Sequence, residues 1–170
     1  MTRQLLACVL LAGLAPAPAS AGELFGGIYV HDVKTPLDLS GIEGGADIQL
    51  GYRGGRIAHT PLQAYAFGAL NTAGATSYAA IGLSAKFGGR LFIRPGLGIA
   101  VHSGSADGFY RTDRIGFGSR VLFGPELGVG ARLNDRLSVE ASWVHMSHAQ
   151  LFGRENPGID NFGARMTLKL

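Results

Sequence analysis

The sequence predicts an all-β chain, an eight-stranded antiparallel transmembrane β-barrel, and three observations carry the prediction. Apolar residues recur at every second position through most of the chain, whereas amphipathic helical periodicity is missing. Many of the alternating runs are about ten residues long, the length that crosses a bilayer at a strong tilt. The composition is 27 Gly and 46% hydrophobic with only 16% charged residues. That leaves too little charge for an ordinary wetted surface and suits a barrel whose outside faces lipid.

The opening "MTRQLLACVLLAGLAPAPASA" is set aside from the fold. Arg3 precedes an apolar run from Leu5 to Leu14, and Ala19-Ser20-Ala21 is a small-x-small cleavage signal. Residues 1–21 are therefore expected to be a secretory signal peptide, leaving 22–170 as the barrel domain. The apolar run is too short for a membrane anchor. Cys8 comes too early for a lipoprotein box, because no apolar stretch precedes it.

The first four strands are expected near 24–33, 43–54, 60–71 and 77–87. The fifth, near 90–102, sets Leu91, Ile93, Leu97, Ile99 and Val101 against Phe92, Arg94, Gly96, Gly98, Ala100 and His102. The sixth, near 118–132, sets Val121, Phe123, Leu127, Val129 and Ala131 against Arg120, Gly124, Glu126, Gly128, Gly130 and Arg132. The seventh, near 136–147, has Leu137, Val139, Ala141 and Trp143 opposite Ser138, Glu140 and Ser142. The eighth, near 159–169, has Phe162, Ala164, Met166, Leu168 and the following Leu170 opposite Asn161, Gly163, Arg165, Thr167 and Lys169. One face is apolar and the other is built of glycines and charges, and a soluble sandwich would seldom place so much glycine outward.

The connections alternate as well. "FGGR" and "LNDR" are tight turns and "GGRIAHT" is somewhat longer, while between them lie the longer links "KTPLDLSGIE", "NTAGATS", "HSGSADGFYRTDRIGFG" and "SHAQLFGRENPG". With both termini at one end, the short turns face the periplasm and the longer links face outward. Eight strands close over a lumen filled by side chains, so no pore is expected.

Several function classes fall away. The formal net charge is +3, one less once Arg3 is removed, and no Lys/Arg run exists, so nucleic acid is not an expected partner. Cys8 is the single cysteine and leaves with the leader, so the barrel has no disulfide, thiol nucleophile or thiolate metal site. His31, His59 and His102 have no zinc-like spacing and read as rim residues. "SADGFYRTD" lacks the ligand spacing of a calcium loop, and "GLGIAVHSGSADG" opens no helix that could cradle a nucleotide. Arg94, Arg120, Glu126, Glu140 and Arg165 read as a compensated ion-pair network in a narrow lumen. Trp143, Tyr29, Tyr52, Tyr65 and Tyr78 read as interface anchors.

One feature breaks the pattern. If the seventh strand keeps its alternation, His145 and Ser147 point to the lipid side, and the parity of the eighth brings Asp160 to the same side. Consecutive antiparallel strands pair, so these three polar residues cluster near the outer rim. Two readings are open from the pattern. They are rim residues in the headgroup zone, or they are a nucleophile (Ser147), a base (His145) and an orienting acid (Asp160). Histidine and serine near a strand end are more often rim residues, whereas polar groups that face hydrocarbon are costly and raise the functional reading, in which the placement implies a lipid substrate.

The run "HMSHAQLFGRENPGID" resembles the signature of the lipid A 3-O-deacylase (PagL-type) family, which reads His-x-Ser-Asn-Ala, a short loop, then Asn-x-Gly-apolar-acid. His145, Ser147 and Ala149 match its first part, and Asn156, Gly158, Ile159 and Asp160 match its second. The resemblance is specific over about 25 residues at the C-terminus; over the remaining barrel it is one of architecture. It implies an outer-membrane serine esterase that removes the 3-O acyl chain from the lipid A of lipopolysaccharide. His145 and Ser147 would be catalytic with Asp160 as the acid, and no cofactor or metal would be needed. Lipid A and the lipids of the outer membrane are the expected partners, and a homodimer is left open.

Two positions depart from the family pattern. The family's acid is commonly glutamate, one methylene longer than Asp160, so Glu155 is the fallback. Its presumed oxyanion donor is often asparagine where this chain has His148, so either that ring or backbone amides would serve. The competing reading is a non-catalytic small outer-membrane barrel with a structural or surface-binding role.

Overall fold

Period-two alternation becomes strand throughout the computed structural model, which describes residues 22–36, 41–107, 113–151 and 156–170. Every regular element among the described residues is a β-strand: β1 (Glu23–Val30), β2 (Ala46–Arg56), β3 (Leu62–Asn71), β4 (Tyr78–Ala85), β5 (Phe87–Gly88), β6 (Leu91–His102), β7 (Val121–Arg132), β8 (Leu137–Ser147) and β9 (Gly158–Lys169). The two-residue β5 continues β4 in unchanged register on β6, with Ser84 opposite Gly96 and Phe87 opposite Ile93. The two pieces act as one stave, so the barrel has the eight strands expected. Each neighbour pairs antiparallel. The ring closes because β1 pairs with both β2 and β9 while β4 pairs with β6.

Parity sorts the side chains. Leu91, Leu97, Leu50, Ile28, Ile81 and Val129 stand exposed on the outside. Phe25, Tyr29, Tyr65, Phe67, Tyr78 and Phe92 fill the lumen. Three of the four tyrosines expected as interface anchors are thus interior residues, because they share the parity of Phe25 and Phe67; Tyr52 alone is exposed.

The lower lumen is an ion-pair core. Among the described residues, Arg53, Arg94 and Arg165 face Glu23, Glu126 and Glu140, three cations against three anions. Arg165 is the hub. It reaches Glu126 at 2.8 Å and Glu140 at 3.0 Å, and its Nε donates to Tyr29 and to Gln49 at 3.0 Å each. Phe25 lies beneath the guanidinium groups of Arg53 and Arg165, at 4.6 and 4.9 Å. The inner glycines make room for this core: a Cβ at Gly96 would lie 2.7 Å from Glu126, and one at Gly128 would lie 2.9 Å from Glu140. Arg120, expected on the inner face, is not part of it. Gly118 adopts a left-handed φ of 70°, so β7 starts only at Val121, and exposed Arg120 donates to the Gly104 carbonyl instead.

A second polar cluster locks the outer end. β1 stops at Val30, and Asp32 then takes a left-handed φ of 53° and accepts the amides of Ile42 and Glu43 with its carboxylate. This ties together the two legs of the β1–β2 loop. Beside it His31 bonds Asp47 at 2.9 Å and Glu43 at 3.1 Å, both fully buried. His31 is therefore an interior residue rather than a rim one. His102 is interior too, with Nε2 at 2.7 Å from the Ser119 carbonyl, whereas His59 is exposed in the β2–β3 turn.

Burial alone would drive His31 towards neutrality, but its bonds to Asp47 and Glu43 outweigh that and raise its pKa to about 9. Burial alone would raise Glu43; the His31 bond and the amides of Thr76 and Ile115 outweigh it and bring Glu43 down to about 2.

Two expectations follow from these clusters. Removing the hub takes the nearest cation from Glu126 and Glu140 and leaves three lumen carboxylates against two arginines, so Arg165→Ala should cost about 3–5 kcal/mol of stability, measured by denaturant unfolding in lipid vesicles. His31's contribution is fully present below its ordinary value of 6.5 and is lost as pH rises through about 9. Glu43's contribution is fully present above its ordinary 4.5 and fades as pH falls towards about 2. The thermal midpoint should therefore be highest between about pH 4.5 and 6.5, and His31→Gln should flatten the alkaline side. Midpoints measured from pH 3 to about 10 on both proteins check this.

Candidate active site

Strand geometry brings the outer-rim cluster together. Side chains two apart on a strand share a face, which aligns Trp143, His145 and Ser147 on the outside of β8. Across the β8–β9 ladder Trp143 faces Phe162, His145 faces Asp160 and Ser147 faces Gly158. Directly opposed residues have Cβ atoms about 5 Å apart, within reach of a histidine–carboxylate bond. His145 Nδ1 lies 3.0 Å from Asp160 Oδ1, and His145 Nε2 lies 3.0 Å from Ser147 Oγ. An ionised carboxylate only accepts, so Nδ1 carries the ring proton, Nε2 presents its lone pair, and the Ser147 hydroxyl donates to it.

The burial of the three residues follows from their neighbours. Phe162 has the same outward parity as Asp160 and is 41% exposed, whereas Asp160 is 0% exposed. The difference is the β1–β2 loop, which lies along the start of β9. The Val33 amide donates to the Asp160 carbonyl at 2.7 Å, the Asp32 amide donates to the Asn161 side chain at 2.9 Å, and the Thr35 hydroxyl donates to Asp160 Oδ2. From the β8 side the Trp143 indole N–H donates to Asp160 Oδ1 at 2.6 Å. Trp143, expected as an interface anchor, thus directs its one polar atom at the carboxylate. Its ring stacks beside His145 with centroids 6.0 Å apart. Ser147 is 5% exposed.

Beyond Ser147 the chain turns sharply. The Leu151 amide bonds the His148 carbonyl, and Ala149 and Gln150 both adopt left-handed backbone, with φ of 53° and 60°. Neither is glycine, so each carries roughly 1–2 kcal/mol of strain. The Asn156 side chain accepts the Gln150 amide at 3.3 Å, which pins the returning leg. The His148 ring, expected as a candidate oxyanion donor, has the inward parity of Val144 and Met146. It is 1% exposed and close to Gly118, where a Cβ would stand 3.3 Å from Nε2. Glu155, the fallback acid, lies outside the described residues.

The arrangement therefore brings His145, Ser147 and Asp160 into one chain of hydrogen bonds and places His148 on the other side of the strand. Thr35 was invisible to sequence reasoning, since nothing in "KTPLDLSGIE" points at a residue 125 positions later. Trp143 carried a usable signal: it lies two before His145 on the same face.

The comparisons with known proteins agree with this fold. The family model described as lipid A 3-O-deacylase (PagL) matches residues 39–169. A crystal structure of the outer membrane enzyme PagL superposes with a TM-score of 0.61 at 18% identity, covering 87% of this chain and 99% of that one. The Yersinia pestis outer membrane protein Ail gives a TM-score of 0.52 at 11% identity, covering 88% and 99% of the two chains. Neisserial surface protein A gives 0.50 at 15% identity, covering 89% and 99%. No curated protein sequence matches the chain.

Proposed function

The chain belongs to the lipid A 3-O-deacylase (PagL) family and is an outer-membrane β-barrel, and from that premise we propose that it is itself a serine esterase that cleaves the 3-O acyl chain from lipid A. The observation that carries the reading is the unbroken line Ser147–His145–Asp160, with both links at 3.0 Å on the lipid-facing side of β8 and β9. A structural barrel has no need of that line, and holding ionisable groups against hydrocarbon is costly.

In this reading the Ser147 hydroxyl passes its proton to His145 Nε2 as Oγ attacks the ester carbonyl carbon. Asp160 steadies the imidazolium that forms. His145 then returns the proton to the departing sugar oxygen as the carbon–oxygen bond breaks, leaving the fatty acyl group on Ser147. A water molecule, deprotonated by the same ring, attacks the acyl carbonyl, releasing the fatty acid and restoring Ser147. The indole face of Trp143 beside His145 favours the charged ring. We assign the oxyanion donors to backbone amides at the strained turn after Ser147, since the His148 ring has the opposite parity. Residues 1–21 are proposed as the export leader that delivers the barrel to the outer membrane.

The test is the rate of 3-O deacylation of purified lipid A, followed by mass spectrometry. Ser147→Ala should stay a heat-modifiable barrel and lose on the order of 10³-fold or more in kcat, because the change removes one hydroxyl and no packing. Asp160→Asn should lose a large part of the rate as well. Near-normal turnover by Ser147→Ala would place the nucleophile elsewhere, and no turnover by the wild-type barrel would favour a non-catalytic role.

A further inference from the structure

We propose that Thr35 and Trp143 are positioning residues of the deacylation reaction, acting through Asp160; this rests on reading Ser147, His145 and Asp160 as the triad. The argument starts from the cost of the acid's location. A carboxylate on the lipid-facing side of a strand has no water to solvate it, so its oxygens need donors from the protein. One bond from His145 leaves most of that capacity unmet. Trp143 supplies a second donor to Oδ1 at 2.6 Å and Thr35 supplies one to Oδ2. Both oxygens are then fixed, which sets the rotation of the carboxylate about its Cβ–Cγ bond and aims Oδ1 at His145 Nδ1.

The two donors approach from different sides, and each is itself held. Trp143 stands on β8 one outward position before His145, and its ring packs near Phe162 with centroids 6.5 Å apart. Thr35 comes from the β1–β2 loop, which is fastened to β9 by the Val33–Asp160 and Asp32–Asn161 bonds and at its base by the Asp32 carboxylate. The arrangement fits an acid with a short side chain. An aspartate has one fewer rotatable bond than a glutamate, so its oxygens lie close to the strand, within reach of both the neighbouring indole and the loop hydroxyl.

A hydrogen bond to a charged group changes an equilibrium by roughly 10- to 100-fold, and that is the loss expected in kcat for Thr35→Val and for Trp143→Phe, with KM unchanged. Thr35→Ser keeps the hydroxyl and should recover most of the rate. In an Asp160→Ala background neither Thr35→Val nor Trp143→Phe should lower the residual rate further, because their target is gone. Trp143 is the chain's single tryptophan, so its indole N–H gives one NMR resonance. Asp160→Asn should shift that resonance upfield, while Glu140→Gln, in the lumen, should not.

Heat-modifiability checks that each variant is folded, and Trp143→Phe tests the idea independently should Thr35→Val fail to fold. Wild-type turnover together with wild-type kcat in both Thr35→Val and Trp143→Phe would overturn the inference and leave the esterase reading standing. A kcat loss of equal size in the Asp160→Ala background would also overturn it, since the residues would then act on something other than the acid. An inactive wild-type barrel would remove both readings.

Discussion

Closing eight strands into a ring gives every strand side chain one of two destinations, a narrow lumen or the lipid. Neither offers bulk water, so each polar group must find its partner within the protein. The lumen solves this by collecting arginines and glutamates in equal number and hanging them on Arg165. Among the described residues the lipid side solves it where His145, Trp143 and Thr35 bond Asp160 and Ser147 bonds His145. The two clusters obey the same rule on opposite faces of one wall. The inner keeps the staves in register, and register is what sets His145 opposite Asp160.

That dependence makes the site unusually exposed to errors of pairing. A one-residue slip between β8 and β9 would turn Asp160 into the lumen and bring a residue of the inner face outward. The ladder resists such a slip because the inner faces are so specific. Glu140 faces Arg165 across it, Ser142 faces Gly163, and the inner glycines leave space for named carboxylates. Stability of the core and geometry of the rim are in this sense one property, expressed on two sides of the same backbone.

What the sequence disclosed and what it withheld divide along the same line. Whatever alternation encodes was legible: all eight staves, the inward course of Arg94, Glu126, Glu140 and Arg165, and the shared outward side of His145, Ser147 and Asp160. The ends of the strands were less so. Left-handed backbone at Asp32 and Gly118 stops β1 and delays β7, and neither residue announces that conformation in its neighbours. Contacts that join distant loops to the wall were not legible at all. Thr35 reaches Asp160, and His31 bonds Glu43 from the opposite leg of its loop, through closures that have no local periodicity. Trp143 lay between these cases. Its face could be read, but the choice between anchoring in the interface and donating to a carboxylate depended on a partner across the loop, on the next strand.

The pairing of β1 with β9 has a consequence in time. Thr35 follows β1, one of the earliest strands made, whereas Asp160 opens β9, the last. The proposed acid is therefore fully seated only after the two ends of the chain have met and the ring is shut. A polypeptide still in transit through the periplasm, or halted with its seam open, carries the serine and the histidine on one strand but lacks the embrace that fixes their carboxylate. If the proposed reading holds, chemistry of this kind would begin only with completion of the barrel.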